Sequence, residues 1–294
     1  MWIPITLCAA AFQTSRTAMQ HRLRSLLSIS GAGFVRYLYG APLSLAAVGI
    51  AFATGVRFPR IRAPFWPIIA ASGLAQIVAT ILLIRAFDER DYAIGTVYSK
   101  TEVVQVAVFS LVFLGESLRP LGWLAVAVSM IGIVLLVSKG KRLSIVALRE
   151  PAGLFGLCAG GLFGLAAVGI RAASKQLLDS PSVMRAIVSL AMMNTIQIVI
   201  HGGYLLRRER EQIGLALGHW RSSSVVGLLS VCGSACWAIA FTLQNAARVR
   251  TFGQIELLFT FLVARFWLHE RHSRFEVGAS GLVLFGVLGM MLAG

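Results

Sequence analysis

Two glutamates lie inside long apolar stretches, where a carboxylate lacks the water that normally solvates its charge. Glu102 has Tyr98 and Gln105 on the same helical face, and Glu256 has Gln254 nearby. An isolated buried carboxylate takes up a proton, whereas a carboxylate beside a cation stays charged. The two glutamates therefore suit binding of an amine or a coupling proton, or structural pairing with a cation. The candidate cations are Arg16, Arg36, Lys100 and Arg171.

Further polar residues lie on two other apolar stretches. Gln13, Arg16 and Gln20 recur at i, i+3 and i+7 and form one polar stripe, which must face protein or water. Trp237 and Gln244 are seven residues apart and share a helical face. Each set could line a cavity or hold helices together. The candidate substrate-binding residues are Gln13, Arg16, Tyr98, Glu102, Trp237, Gln244 and Glu256.

The sequence lacks the residue patterns of catalysis and of metal binding. We find no nucleophile paired with a base and no Cys/His spacing of a metal site within the apolar stretches. The four cysteines lie inside these stretches, where Cys packs as a small hydrophobe. A Gly-x-x-x-x-Gly-Lys loop for ATP is also missing. We therefore expect neither an enzyme nor a cofactor, and no metal site.

The composition indicates a membrane protein. Of 294 residues, 57% are hydrophobic and only 13% are charged, and the mean hydropathy is +0.79. Because a soluble domain carries about 25% charged residues, lipid must be the outer solvent of this chain. The net charge of +15 comes from Lys and Arg that punctuate the apolar stretches. This pattern suits contact with anionic lipid and argues against nucleic acid.

Apolar stretches long enough to cross a bilayer, about 20 residues each, recur along the whole chain. The ten predicted spans are 2–20, 29–54, 65–87, 92–114, 120–137, 152–175, 183–206, 223–247, 251–268 and 275–292. A basic linker over 138–151 separates the fifth span from the sixth. The sequence thus predicts an all-α polytopic membrane protein with ten transmembrane helices.

The two halves of the chain repeat each other at an offset of 154 residues. The matching positions are Glu102 and Glu256, Leu114 and Leu268, Glu116 and Glu270, Ala125 and Ala279, and Gly132 and Gly286. We interpret them as an internal duplication, with five-helix repeats over 1–137 and 152–294. Because five is an odd number, the second repeat enters the membrane from the opposite face. Inverted repeats of this kind are a recurrent plan of secondary transporters.

Three glycines recur at four-residue spacing on the sixth predicted span, at Gly156, Gly160 and Gly164. Small residues at this spacing let neighbouring helices approach closely. The stripe could form a dimer seam, but packing inside the bundle is the simpler interpretation. We therefore expect a monomer.

These features resemble the EamA family of the drug/metabolite transporter superfamily, the ten-helix carriers. Each half of such a carrier ends in an acid-proline-apolar stretch, a Gly-Glu pair and a helix with a spaced glycine. Gly115-Glu116 matches the pair, and Arg36 resembles an arginine often found early in the second helix. The expected proline is Val103 in one half and Leu257 in the other, and His269 replaces the second pair's glycine. A proline there would kink the helix, so kinked fourth and ninth helices cannot be carried over from the resemblance. The remaining matches are Glu102, Glu256, Gly132 and Gly286.

The resemblance implies a carrier of small solutes, often an exporter of amino acids or related metabolites. We expect a secondary active transporter of the inner (plasma) membrane, driven by a proton or solute gradient, whose repeats rock around a central cavity. Glutamates would bind the amine of a zwitterion and arginines its carboxylate. The alternatives are a carrier of cationic drugs or sugar-like metabolites, a membrane-embedded enzyme and a channel.

The sequence leaves open on which side of the membrane the chain ends lie. More Lys and Arg fall in the loops opposite the N-terminus, including Arg207, Arg208 and Arg210. The positive-inside rule therefore places the N-terminus outside. The family resemblance places both termini in the cytoplasm.

Overall fold

The computed structural model describes residues 1–23, 26–88, 98–138, 151–259 and 274–293. Two short antiparallel strands, β1 (Arg60–Ile61) and β2 (Leu177–Leu178), accompany a predominantly helical chain. The helices are α1 (Trp2–Leu23), α2 (Ile29–Ala53), α3 (Phe65–Asp88), α4 (Glu102–Leu114), α5 (Pro120–Ser138), α6 (Pro151–Lys175), α7 (Ser182–Arg208), α8 (Arg210–Gly218), α9 (Trp220–Leu243), α10 (Ala246–Gly253) and α11 (Arg274–Leu292).

Six of the described helices are long and apolar enough to cross a membrane. They cover Ile29–Ala53, Phe65–Ala86, Gly153–Lys175, Ser182–Arg208, Trp220–Leu243 and Phe275–Leu292, and Pro120–Leu136 is a shorter apolar helix. Large apolar side chains such as Phe113, Val199 and Phe285 are more than half exposed, at 63%, 68% and 69%. Exposed apolar surface of this extent suits contact with lipid. The prediction of a multi-pass membrane protein is therefore confirmed.

Described helix lies within each of the ten predicted spans. Residues 92–97 of the fourth predicted span and 260–268 of the ninth lie outside the described residues, as do 139–150 of the basic linker. The count of ten spans therefore stays a prediction. The helix α8 has no counterpart among the predicted spans.

The eighth predicted span, 223–247, was wrong at its end. The helix α9 stops at Leu243, and Gln244 has an extended backbone with φ of −140° and ψ of 161°. A new helix starts at Ala246 because the side-chain oxygen of Asn245 accepts a hydrogen bond from the amide of Ala247 at 2.8 Å. An N-cap of this kind satisfies an amide that has no partner within the helix.

The described helices form two compact units. Unit 1 comprises Met1–Ile81 and Ala166–Gln244, and unit 2 comprises Leu82–Leu165 and Asn245–Gly294. Each unit draws segments from both predicted repeats. Residues of the two repeats therefore contact each other inside each unit.

In unit 1, α1 packs along α9, and α2 packs against α7 and α9. A glycine sets how closely α2 and α9 approach. A Cβ added at Gly227 would lie 2.4 Å from the Cβ of Tyr39, which is closer than real side chains come. The interior of the unit includes the fully buried side chains Tyr37, Phe241, Met193, Leu205 and Gln197.

In unit 2, α5 and α11 cross through two reciprocal glycine contacts. A Cβ added at Gly132 would lie 2.6 Å from the backbone nitrogen of Val283. A Cβ added at Gly286 would lie 2.7 Å from the backbone nitrogen of Ser129. Under the repeat offset of 154 residues, Gly132 corresponds to Gly286 and Ser129 corresponds to Val283. The packing at this crossing therefore follows the sequence repeat, in the manner of a two-fold contact.

Candidate functional site

Glu102 lies in unit 2 beside an interruption of its helix. Thr101 forms a turn between the helical residues 98–100 and α4. The amide of Thr101 bonds the carbonyl of Tyr98 at 3.3 Å, and the amide of Val104 bonds the carbonyl of Thr101 at 3.0 Å. The hydroxyl of Thr101 also donates to the Tyr98 carbonyl, at 2.5 Å. Bonds to the third residue back tighten the chain here into a 3₁₀-like turn, while the amide of Gln105 keeps the regular bond to the Thr101 carbonyl at 3.1 Å.

The same interruption recurs beside Glu256. Gln254 is a turn residue, and its amide bonds the carbonyl of Thr251 at 3.2 Å. The amide of Leu257 bonds the carbonyl of Gln254 at 3.0 Å. These hydrogen bonds interrupt both helices without a proline. Irregular backbone at membrane depth occurs where protein or a cavity satisfies its polar groups.

Each glutamate pairs with a cation from the other sequence repeat. The Nε of Arg250 lies 2.9 Å from Oε1 of Glu102, with side chains 13% and 11% exposed. The Nζ of Lys100 contacts Oε1 of Glu256, with side chains 18% and 10% exposed. Glu102 also lies in the first turn of α4, where the helix dipole favours a negative charge. We call these two contacts the crossed ion pairs.

The candidate cations differ in the groups that they contact. Lys100 is confirmed as a partner, of Glu256. Arg36 instead donates to the Thr80 hydroxyl at 3.0 Å inside unit 1. Arg250 was missed because the predicted eighth span ran to 247 and left it in a loop. Asn245 before two alanines, a common helix start, was the available signal for α10, which carries Arg250.

The glycine stripe of α6 packs against the interruption beside Glu102. A Cβ added at Gly160 would lie 2.6 Å from the Ser99 carbonyl oxygen and 3.2 Å from the Glu102 amide nitrogen. The Gln105 amide spans the same helices, donating to the Thr101 hydroxyl at 3.2 Å and to the carbonyl of residue 157 at 3.4 Å. Gly160 therefore packs inside the bundle, as predicted for this stripe.

Four of the predicted site residues lie in unit 1, and Gln13 and Trp237 are brought together there. The indole nitrogen of Trp237 donates to Oε1 of Gln13 at 3.0 Å. The Trp237 ring also stacks on Phe241, with ring centroids 5.6 Å apart. Arg16 is half-buried on α1, and the side chain of Gln20 lies outside the described residues. The polar stripe thus bonds across to α9 at one of its members.

Gln244 does not share a helical face with Trp237 as predicted, because α9 ends at Leu243. Its backbone carbonyl instead accepts from Arg171 at 2.5 Å, and the Phe241 carbonyl accepts from the same nitrogen at 2.7 Å. Arg171 therefore binds carbonyl groups freed by the end of α9. Tyr98, Glu102 and Glu256 are the predicted site residues in unit 2.

A row of buried polar side chains lies on α7 in unit 1. Asn194, Gln197 and His201 recur at spacings of three and four residues, which is one helical face. Asn194 donates to the Ser44 hydroxyl at 3.2 Å, and the His201 Nε2 contacts the Ser30 hydroxyl at 3.0 Å. Asn194 and His201 thus contact α2, whereas Gln197 donates to the Gly73 carbonyl of α3 at 3.1 Å. Asn194 and Gln197 are polar residues of the seventh predicted span, and His201 continues their spacing.

The described residues hold no group of three or more His, Cys, Asp or Glu that could bind a metal ion. In unit 2, the described residues bring two carboxylates and two cations together in the crossed ion pairs. Two carboxylates and two cations could exchange partners with a charged solute.

The fold recurs in a solved structure. A crystal structure of another protein matches with a TM-score of 0.73, covers 99% of this chain and 96% of that chain, and is 14% identical. At this identity the match shows the fold alone.

Sequence comparisons extend this result to a family. A protein of Sinorhizobium sp. named "Uncharacterized transporter in cobO 3'region" is 38% identical over 71 residues. That match covers 24% of this chain and 50% of the relative, so the chain spans about half of the relative's length. Residues 1–138 and 150–292 each match the EamA-like transporter family. These two matches cover nearly the whole chain and coincide closely with the two predicted repeats; the chain belongs to the EamA-like transporter family.

Proposed function

We propose that this protein is a secondary transporter of small zwitterionic metabolites, with amino acids as the leading class. The proposal rests on the crossed ion pairs, which lie beside two interrupted helices. Broken helices at membrane depth are where secondary transporters bind their solutes. The proposed site is formed by Glu102, Glu256, Lys100 and Arg250, with Tyr98 beside the first interruption.

A zwitterion is the solute that best fits these charges. Its ammonium group can replace Arg250 at Glu102, and its carboxylate can then pair with Arg250. Breaking a buried ion pair by removing one partner costs about 3–5 kcal/mol, because a charge is left uncompensated. A zwitterion avoids this cost because it offers a new partner to both charges.

The other solute classes fit less well for the same reason. A cationic drug would satisfy Glu102 but displace Arg250 without giving it an anion. A sugar-like metabolite offers only neutral hydrogen bonds, which are worth less than charge-assisted ones. An enzyme would need a nucleophile, base or metal at the site, and family membership favours transport.

The two sequence repeats are proposed to be inverted and to expose the site alternately to the two sides of the inner membrane. Export is the proposed direction, and a proton or solute gradient is the proposed energy source. We propose that the monomer is sufficient for transport. Gln13, Arg16, Trp237 and Gln244 stay predicted contacts of the solute.

The test is counterflow in proteoliposomes made with the full-length protein. Vesicles are loaded with unlabelled amino acids, monovalent organic cations or sugars, and entry of the same labelled solute is followed. We expect saturable counterflow with a zwitterion, and a loss of at least about tenfold in Glu102→Gln, the equivalent of about 1.4 kcal/mol. Asp179→Asn, which alters an exposed ion pair of unit 1, is the matched control and should transport normally.

Two outcomes contradict the proposal. Counterflow of cations or sugars without any zwitterion would remove the assigned substrate class. Flux that rises linearly with concentration and shows no counterflow would indicate a channel.

A further inference from the structure

Four exposed arginines lie at one end of unit 1, where α7 ends and α9 begins. Arg207 and Arg208 end α7, Arg210 begins α8, and Arg221 lies in the first turn of α9. The nine-residue helix α8 between them spans only about 14 Å, so all four arginines lie at the same end of the unit. We call these four residues the arginine rim.

The acids beside the arginine rim leave most of its charge uncompensated. Four arginines against two glutamates give a net charge of +2 over residues 207–221. Glu209 accepts a hydrogen bond from the Ser28 hydroxyl at 2.5 Å, and Glu211 is exposed. Among the described residues, no acid forms an ion pair with any arginine of the rim.

Exposed apolar side chains adjoin the arginine rim on both helices. Tyr204 and Leu206, 49% and 58% exposed, come directly before the arginines of α7. Trp220 is 58% exposed, and the guanidinium of Arg221 lies 5.6 Å from its ring centre. Aromatic and basic side chains gather where the hydrocarbon of a membrane meets the headgroups. The rim therefore lies at the level of the headgroups.

The helix α8 is held across this end of the unit. The Oε1 of Gln212 accepts from the amide of Ser28 at 2.8 Å, and Ala216, one turn further, is fully buried in an apolar cluster with residues of α2 and α9. Leu215 and Leu217 are 38% and 52% exposed beside this packed face. A helix that is fixed to the protein in this way presents its exposed leucines and the nearby arginines together, as interfacial helices do.

We propose that the arginine rim binds the headgroup phosphates of anionic phospholipid, with Trp220 and the exposed leucines of α8 against the lipid chains. Guanidinium groups bind phosphate through two parallel hydrogen bonds, which makes arginine a suitable ligand for this group. A zwitterionic headgroup also carries a cation, which the net positive charge of the rim repels, so an anionic headgroup is preferred. The overall charge of the chain indicated contact with anionic lipid without a location, and the rim supplies one. This site lies wholly within unit 1 and does not depend on the solute that the crossed ion pairs bind.

The test is quenching of tryptophan fluorescence in the full-length protein, reconstituted into mixed vesicles of phosphatidylcholine and phosphatidylglycerol. One of the two lipids carries bromine near the headgroup end of its acyl chains, and bromine quenches an indole that it contacts. The signal of Trp220 is the difference between the parent and Trp220→Phe. Its quenching at each lipid ratio measures the preference of this surface for one lipid. We expect a preference of about tenfold for phosphatidylglycerol, which falls as salt concentration rises because the arginines are exposed.

Two double variants connect this preference to the rim. Arg207→Gln with Arg208→Gln should reduce it by at least about fivefold. Arg57→Gln with Arg62→Gln is the matched control, since it removes the same charge from two exposed arginines beyond the other end of α2. The control should keep the preference measured at Trp220. All four side chains are exposed, so both variants should fold as the parent does, which thermal unfolding checks.

Three outcomes would overturn the proposal. Equal quenching of Trp220 by brominated phosphatidylglycerol and brominated phosphatidylcholine in the parent would mean that water alone solvates the arginines. Equal losses of preference in the rim variant and the control would mean that net charge acts without regard to position. A Trp220 signal that neither brominated lipid quenches would place the rim outside the headgroup layer.

Discussion

Substitution of Glu102 by glutamine separates the structural role of the crossed ion pairs from their role in transport. The change keeps the shape of the side chain and removes the charge that faces Arg250 at 2.9 Å. Both side chains are nearly nine-tenths buried, so solvent compensates little of the lost attraction. Removing one partner of such a pair costs about 3–5 kcal/mol. We expect Glu102→Gln to lose stability of this order and to transport poorly.

The double variant Glu102→Gln with Arg250→Gln separates the loss of stability, caused by an unpaired buried charge, from the loss of transport, caused by the missing binding charges. Two neutral amides can hydrogen-bond to each other, and neither leaves a buried charge. The double variant should therefore regain most of the stability that either single variant loses, which is a coupling of about 2 kcal/mol or more. Its transport should stay at least tenfold reduced, because the two charges proposed to bind the ammonium and the carboxylate of the zwitterion, those of Glu102 and Arg250, are both gone.

Stability is measured by thermal unfolding in nanodiscs, and transport by counterflow per folded molecule. The exposed pair of Arg60 and Asp179, with side chains 73% and 55% exposed, provides the control. Asp179→Asn should change stability by less than about 1 kcal/mol. Additive losses in the Glu102 and Arg250 variants would refute the ion pair. Full transport by the double variant would refute its part in binding.

Three further predictions concern packing and capping. Gly160→Ala should lose about 1–3 kcal/mol and perturb transport, because its Cβ would meet the Ser99 carbonyl at 2.6 Å; Gly278→Ala, with nothing within 4 Å, should keep both properties. Ser30→Ala should lose about 1–3 kcal/mol in thermal unfolding, because it leaves Nε2 of the buried His201 unsatisfied. Asn245→Ala should lose about 1 kcal/mol, and Asn245→Ser, which keeps a neutral capping oxygen, should recover part of it in the same assay.

Hydropathy alone predicted most of the helices, because an apolar stretch in lipid has little choice but to satisfy its backbone as a helix. The predicted and observed starts of α2, α3 and α5 agree at residues 29, 65 and 120. The end of α9 escaped prediction, since Gln244 and Asn245 interrupt an apolar stretch without a glycine or proline. There a single side-chain cap decided where one helix ended and the next began.

The site was predicted in part for a related reason. The 154-residue repeat drew attention to Glu102 and Glu256, and a buried acid always needs a partner. Which cation serves depends on contacts between segments far apart in the sequence. Arg250 reaches Glu102 only because α10 starts at Ala246, and Arg36 is held by Thr80 on another helix. The spacing of residues within one span could predict neither the contact of Arg250 with Glu102 nor that of Arg36 with Thr80.

The two kinds of contact between the repeats in unit 2 have different consequences for movement. At the crossing of α5 and α11, Gly132 and Gly286 bring one helix against the backbone of the other, and sliding would drive atoms into each other. The crossed ion pairs hold the interrupted helices by charges, which a solute can take over one at a time. The 3₁₀-like turns at Thr101 and Gln254 contain hydrogen bonds to the third residue back, whose geometry is poorer than that of regular helical bonds. Within unit 2, displacement is therefore easier at the interruptions than at the glycine crossing.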